Sequence, residues 1–529
     1  MVDGSKTVTF NPASGQPVPE GPGNGDLTDQ MIQTDWWTDQ MVADAGIPIV
    51  DVPFVTVGGG IGSFVMVDYL RIAGVPREHI KVLSNIDVPY QTYKFLCNNS
   101  QIPGHERLRS DSTGTPDNIW GFPGYAIREG WKDKKLKPWF NVFVEPVFRD
   151  FYTPRSGDVF GYLDREAARI GWNSMLDKGQ VRMVRRRQGG GYFTILTPPT
   201  GTSRTKRIAY RSTWVHVSVG YPALRYLRDL QEYRETYQDF RHVVNAYEPH
   251  EHIYEDLRRR PGIVMVRGAG IVASRIMQRL IDDRDQHGAQ TLIIHLFRTY
   301  RTQPKFEPRF GRGKQEVRHG WAYQGFNVTK SAWGGVDKER LAKLEGAARK
   351  EYLDYLGGGA HTPRRVDWRE QIDRGLAQGF YRQHVGEVDK VVPGADGDSV
   401  VSTVRGQDGT VTDIPARYVI DCTGLVGLPQ DHRVLSDLLQ HGGAGENPNG
   451  RLDCDHNHEV RGTQSAPGKL YAGGAATAGS YFGGADSFLG LQYIAQTIYL
   501  DLAKAGFCKK IGPGRSFSQW LKWVRGTQI

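Results

Sequence analysis

Apolar and polar positions along this chain change period several times. Ile49-Val50 and Val55-Thr-Val57 are short β-branched runs, and they lead into the glycine turn Gly58-Gly-Gly60. Phe64, Val65, Val67, Leu70 and Ile72 then fall at helical spacing, which predicts a helix over roughly 62–73. Gly74 stops it, and Ile80-Lys-Val-Leu83 reads as a second strand. The same order returns later in the chain. Ile263 to Val266 predicts a strand, Gly268-Ala-Gly270 a turn, and Ile276, Met277 and Leu280 one face of a helix. Thr291 to Phe297 predicts the strand that follows.

Between and after these units the pattern predicts further elements. Residues 88–150 read as irregular and aromatic, and 158–172 as a helix. Val181–Val184 and Tyr192–Leu196 flank Gln188-Gly-Gly-Gly191 as a hairpin. Thr213 to Ser218 is a strand that exits through Gly220 and Pro222. Leu341, Leu344, Ala347 and Tyr352 predict one helix over 338–355, with Trp333-Gly-Gly335 and Gly357-Gly-Gly359 as hinges. A helix over 371–380 leads into a strand over 381–392, a meander around Val400–Arg405, and a strand ending in Cys422-Thr-Gly424. Leu470 to Ala472 ends in Gly473-Gly474, and a helix over 487–504 follows with Asp486 or Ser487 as N-cap. Residues 1–45 are rich in Gly, Pro, Asp and Thr, and read as a flexible extension anchored by Trp36 and Trp37.

The two glycine turns carry the chemistry. Gly58, Gly60 and Ser63 occupy a G-x-G-x-x-G pattern, and Gly268, Gly270 and Ala273 a G-x-G-x-x-A pattern. In such a unit the first glycine makes the tight turn and the second lets the backbone approach a pyrophosphate. The third position is small so that helix and strand pack closely. The free N–H groups and positive dipole of the helix N-terminus favour an anion. Asn85 stands where an acidic residue often holds ribose hydroxyls. After the second unit stand Arg298 and Arg301, which suit a 2′-phosphate and so predict NADPH.

Composition narrows the class. The 529 residues fit two to three domains, and no 18-residue apolar run predicts a membrane span. No signal-peptide pattern opens the chain, which predicts a cytoplasmic protein. Four cysteines without a C-x-x-C disfavour a disulfide framework, a zinc site and a redox dithiol. The net charge of +9, with clusters at Arg182–Arg187 and Arg258–Arg260, leaves open an anionic partner or plain solvated surface. No aromatic-interleaved basic motif predicts nucleic-acid binding.

The ordered set of two fingerprints, Val217-Ser-Val-Gly-Tyr-Pro222, Ile420-Asp-Cys-Thr-Gly424 and Leu470-Tyr-Ala-Gly-Gly-Ala475 resembles the flavoprotein monooxygenases and reductases with two dinucleotide-binding domains. Ser63, Asn85 and Gly474 depart from the common FAD pattern, Gly474 standing where aspartate is usual. The resemblance implies an α/β protein in which a Rossmann-like NADPH domain is inserted into an FAD domain of the same kind. The expected division is an extension over 1–45, the FAD domain over 46–250 and 401–510, the NADPH domain over 251–400, and a tail over 511–529. It also implies FAD and NADPH as cofactors, and a monooxygenase acting on a small molecule through a flavin C4a-hydroperoxide. Gly58, Gly60, Gly62, Ser63, Asn85, Gly220, Gly424, Gly473, Gly474 and Ser487 would then serve FAD. Gly268, Gly270, Ala273, Ser274, Arg298 and Arg301 would serve NADPH. No side chain is assigned as catalytic, and His216, His250, His252 and His384 read as structural or exposed. Two alternatives stay open: a reductase passing electrons to a quinone or an acidic protein partner, and a non-catalytic FAD-binding assembly component. An oligomer is compatible with either.

Overall fold

The computed structural model describes residues 23–108, 115–120, 124–144, 153–200, 206–304, 316–323, 336–356 and 366–529. Two five-stranded parallel sheets organise the chain. The first has the order Lys469–Ala472, Trp214–Val217, Phe54–Val57, Ile80–Ser84, Leu176–Lys178. The second has the order Val243–Asn245, Tyr418–Asp421, Gly262–Arg267, Thr291–Phe297, Tyr381–Val385. In each sheet a glycine turn and a helix join the central strand to its neighbour: Ile61–Ile72 in the first, Ile271–His287 in the second. These two strands are buried along nearly their whole length, as strands covered on both faces must be.

The two units also share their accessory part. An antiparallel meander follows the last-added edge strand in both. In the first unit it is Gln180–Arg187, Tyr192–Thr197 and Ile208–Ser212; in the second it is Glu387–Pro393, Val400–Arg405 and Val411–Ala416. Each meander returns the chain to the strand beside the fingerprint strand, Trp214–Val217 or Tyr418–Asp421. Where the chain passes between the units, Ala223–Leu224 pairs antiparallel with Leu425–Val426.

Helix Ile61–Ile72 forms because Phe64, Val67 and Leu70 repeat on one face, and all three are fully buried. Each such side chain contributes about 1.5–3 kcal/mol relative to exposure. Helix Phe488–Lys504 covers it, with Tyr69 and Tyr499 stacked at a ring separation of 5.7 Å.

Several expectations are corrected. The 88–150 stretch contains helices Gln91–Asn99, Gly124–Lys132 and Lys137–Val144, so it is not irregular. The single helix over 338–355 is two, Val336–Leu341 and Gly346–Leu356, the second starting at Gly346 with a left-handed φ of 49°. The strand over 381–392 is divided at Gly386: Tyr381–Val385 joins the parallel sheet and Glu387–Pro393 the meander. Strands Val243–Asn245 and Tyr418–Asp421 belong to the second sheet and lie outside the expected 251–400 span. Backbone pairing of Tyr418–Asp421 with Gly262–Arg267, and of Val243–Asn245 with Tyr418–Asp421, decides this, and no local pattern reports it. Within 23–45, helices Asp29–Gln33 and Asp39–Asp44 flank Trp36–Trp37, which pairs with the first meander. Trp37 is fully buried, and its indole N–H donates to the Met31 carbonyl at 2.9 Å. The two glycine hinges at 333–335 and 357–359 lie outside the described residues.

Candidate active site

Gly58 ends the first fingerprint strand at φ +100°, and a Cβ there would overlap the carbonyl oxygen of Ser218. Only glycine fits both constraints. Gly60 has open space around it and caps helix Ile61–Ile72 without any side-chain hydrogen bond. The first turn of that helix carries no acidic residue. Its N–H groups and dipole are thereby left for a ligand anion. Ser63 is buried and accepts a hydrogen bond from the Thr56 hydroxyl at 2.9 Å, so the third fingerprint position joins helix to strand. Thr56 also meets Nδ1 of the buried His216 at 2.9 Å. Burial, with His458 nearby, holds His216 down to about 3. It is a neutral packing group.

The second cradle repeats the design. Gly268 has φ +119°, and a Cβ there would lie 2.8 Å from the Cys422 carbonyl oxygen. Gly270 caps helix Ile271–His287 with no side-chain bond, and again the first turn carries no acid. His295, from the neighbouring strand, fixes this turn: its Nε2 lies 2.7 Å from the Gly268 carbonyl and its Nδ1 2.8 Å from the Tyr381 hydroxyl. That hydroxyl already accepts from Trp321 at 3.1 Å and Gln383 at 3.0 Å, so it donates to Nδ1. Nε2 therefore carries the proton and donates to Gly268.

Burial holds His295 down to about 3, against a partial offset from the Gly268 carbonyl. The unfolded chain takes up this proton near pH ~6.5 and the folded chain only near the lower value. The residue therefore supports the fold above the upper value. It withdraws up to about 1.4 kcal/mol per pH unit as pH falls between the two. The variant H295Q is expected to show a pH-dependence of unfolding free energy shallower by about one proton between pH ~6 and ~4. Urea denaturation at stepped pH measures it, and an unchanged slope counts against a buried neutral imidazole.

A cavity of about 380 Å³ lies between the cradles. Gly60, Gly62, Gly220 and Gly474 line it from the first unit, Ile271 and Val272 from the second. Tyr93, Leu96, Tyr247 and Phe488 add an apolar wall. The charged groups on its edge already hold partners. Glu106 accepts from Arg275 at 2.7 Å, Arg107 donates to Glu129 at 2.6 Å, and Asp486 accepts from Tyr221.

No model of a known protein family matches this sequence, and no curated protein matches it. Solved structures do. The cadaverine monooxygenase of desferrioxamine biosynthesis from Erwinia amylovora, bound to FAD, matches with a TM-score of 0.64 and 13% identity, over 87% of this chain and 96% of that one. The ornithine N-hydroxylase of Kutzneria sp. 744, solved with reduced FAD, NADP+ and L-ornithine, matches at 0.63 and 13%, over 86% and 100%. The ornithine hydroxylase of Pseudomonas aeruginosa matches at 0.61 and 15%, over 86% and 99%. The chain shares the two-domain fold of these three enzymes.

Within this fold the predicted residues separate into groups. Gly60, Gly62, Gly220 and Gly474 meet at one cavity; Gly58 packs against the Ser218 carbonyl and Gly473 against His216, and neither lines it. Gly474, which stands where the common pattern has aspartate, has φ +76°, in the left-handed region that glycine enters most readily. Asn85 is exposed just past strand Ile80–Ser84. Arg298 and Arg301 are exposed past strand Thr291–Phe297, with Arg301 bridged to Gly320. Ala273 and Ser274 are buried in the second helix, where the Ser274 hydroxyl donates to the Ile271 carbonyl at 2.7 Å. Gly424, at φ +123°, ends a strand of the second unit rather than the first. Ser487 is the N-cap of helix Phe488–Lys504, accepting from Gly490 N–H at 3.0 Å, so its side chain is committed to the cap.

The wall of helix Gln91–Asn99 was missed in the sequence, yet a signal existed. Tyr93, Leu96, Cys97 and Ser100 stand at helical spacing, and all four line the cavity. Burial pushes the Cys97 thiol up to about 12, which keeps it protonated and unreactive. All four cysteines are free. Among the described residues no cluster of histidine, cysteine and acidic groups is arranged to hold a metal ion.

Proposed function

We propose that this protein is an FAD-dependent oxidoreductase reduced by NADPH, and that it acts as a monooxygenase on a small molecule. One observation carries the reading: two uncapped, acid-free helix N-termini, each behind a left-handed glycine, face a single cavity. The residues present fit the cofactors. Gly60 and Gly474 leave the space that a side chain would otherwise fill, which FAD would use. Gly58, Gly60, Gly62 and Ser63 would cradle its pyrophosphate, Asn85 its ribose, and Gly220, Gly473 and Gly474 its ring edge. Gly268, Gly270, Ala273 and Ser274 would cradle NADPH, with Arg298 and Arg301 on its 2′-phosphate. When bound, FAD supplies the redox chemistry, accepting hydride from NADPH and activating dioxygen.

The chain's own part is placement and exclusion of water. Tyr93, Leu96, Tyr247 and Phe488 form an apolar wall, and the charges at the rim are paired with one another rather than aimed into the space. The named substrates of the structural neighbours, ornithine and cadaverine, are small amines, which supports a small-molecule substrate here. The reading places the enzyme in the cytoplasm, where NADPH is kept and free thiols stay reduced. Among the described residues no helix is long and apolar enough to cross a membrane.

The purified protein is expected to show flavin absorbance and to consume oxygen in step with NADPH. With heavy-isotope dioxygen the product should carry the label. Flavin reduction without labelled product would favour relay of electrons to an acceptor such as an acidic protein. Absence of flavin after reconstitution with FAD would end both readings.

A further inference from the structure

We propose that the helical hairpin over 124–144 docks the protein onto an anionic lipid surface. Helices Gly124–Lys132 and Lys137–Val144 project Trp131, Leu136 and Phe143, which are 78%, 76% and 82% exposed. Large apolar side chains that exposed, grouped on one short hairpin, mark an interaction site rather than ordinary surface. Lys132, Lys134, Lys135 and Lys137 are exposed among them.

The hairpin's acids point the other way. Glu129 is buried against Arg107 at 2.6 Å and Arg155 at 3.3 Å, and Asp133 holds Arg155 at 2.5 Å. The outward face is thereby left cationic and apolar. The hairpin is also tied to the body and to itself. Arg107, held by Glu129, belongs to the cavity rim, and the Trp139 indole donates to the Ile127 carbonyl at 2.9 Å. Gly130 lets that indole approach, since a Cβ there would overlap it.

Charge decides between partners. Protein interfaces are depleted of lysine, and single-stranded nucleic acid is held in basic grooves rather than on a projecting hairpin. Aromatic and aliphatic side chains among lysines match the boundary of an anionic bilayer, where rings enter the headgroup layer and ammonium groups meet phosphate. The overall charge of +9 adds to the attraction.

Co-sedimentation of the full-length protein with phosphatidylcholine vesicles, and with vesicles also containing phosphatidylserine, tests this. Wild type is expected to sediment only with the anionic vesicles, and less as salt rises. The variants W131S/F143S and K134E/K135E should each weaken binding at least about tenfold, with unchanged melting temperature and NADPH oxidation. Wild type staying in the supernatant with both vesicle types would overturn the proposal. So would variants that bind like wild type, or a self-association removed by W131S/F143S without any vesicle binding.

Discussion

Replacing Gly268 with alanine is expected to leave FAD bound while slowing flavin reduction by NADPH at least about a hundredfold. Gly268 sits at φ +119°, and the added methyl would lie 2.8 Å from the Cys422 carbonyl oxygen and 3.3 Å from its Cβ. The backbone strain is about 1–3 kcal/mol, and the contact forces the turn or the strand end to move. The turn would move more easily, because strand Tyr418–Asp421 is held on both sides by sheet hydrogen bonds. A displacement of about 1 Å between donor and acceptor can by itself cost roughly a hundredfold in rate. The companion variant G58A overlaps the Ser218 carbonyl oxygen at φ +100° and is expected to lose FAD instead. Flavin absorbance after gel filtration reads one effect, and stopped-flow reduction by NADPH the other. A G268A protein that releases flavin, or a G58A protein that keeps it, would show the two cradles to be assigned the wrong way round.

Loss of Arg298 is expected to weaken NADPH binding roughly 10- to 100-fold and NADH binding by less than about twofold, which is the value of a charge-assisted guanidinium–phosphate contact. Strand Thr291–Phe297 runs in register with Gly262–Arg267, with Leu296 opposite Arg267. Arg298 therefore emerges level with the Gly268 turn, exposed and beside the place the adenosine ribose would take. Arg301 stands further on, its backbone bridged to Gly320. R301A should have the smaller effect of the two. Titration of nicotinamide cofactor binding to each variant measures this, and equal losses for both cofactors would remove the arginines from phosphate recognition.

The two glycine turns and the helices behind them were legible in the sequence because their requirements are local. A left-handed turn needs glycine at Gly58 and Gly268, and five residues later a small residue must lie against the strand, as Ser63 and Ala273 do. Helix Ile61–Ile72 and strand Thr291–Phe297 followed from period alone, within a residue or two of their ends. Aromatic residues and an upstream proline mask the short helical repeat of Gln91–Asn99. His295 could not be found as the residue holding the second turn. Its role exists only once Tyr381, Trp321 and Gln383 close a hydrogen-bond chain from three other segments.

By itself, then, the order of residues determined two glycine turns of the same kind, each opening a helix whose first turn carries no acid, since steric limits on a few consecutive peptide units suffice for that. Which sheet Tyr418–Asp421 joins, where Gly386 parts a strand, and which walls enclose the space between the cradles were decided only in three dimensions. Tyr418–Asp421 pairs with segments more than a hundred residues earlier and Tyr381–Val385 with one more than eighty residues earlier, and an isolated stretch of chain carries no record of its distant partner.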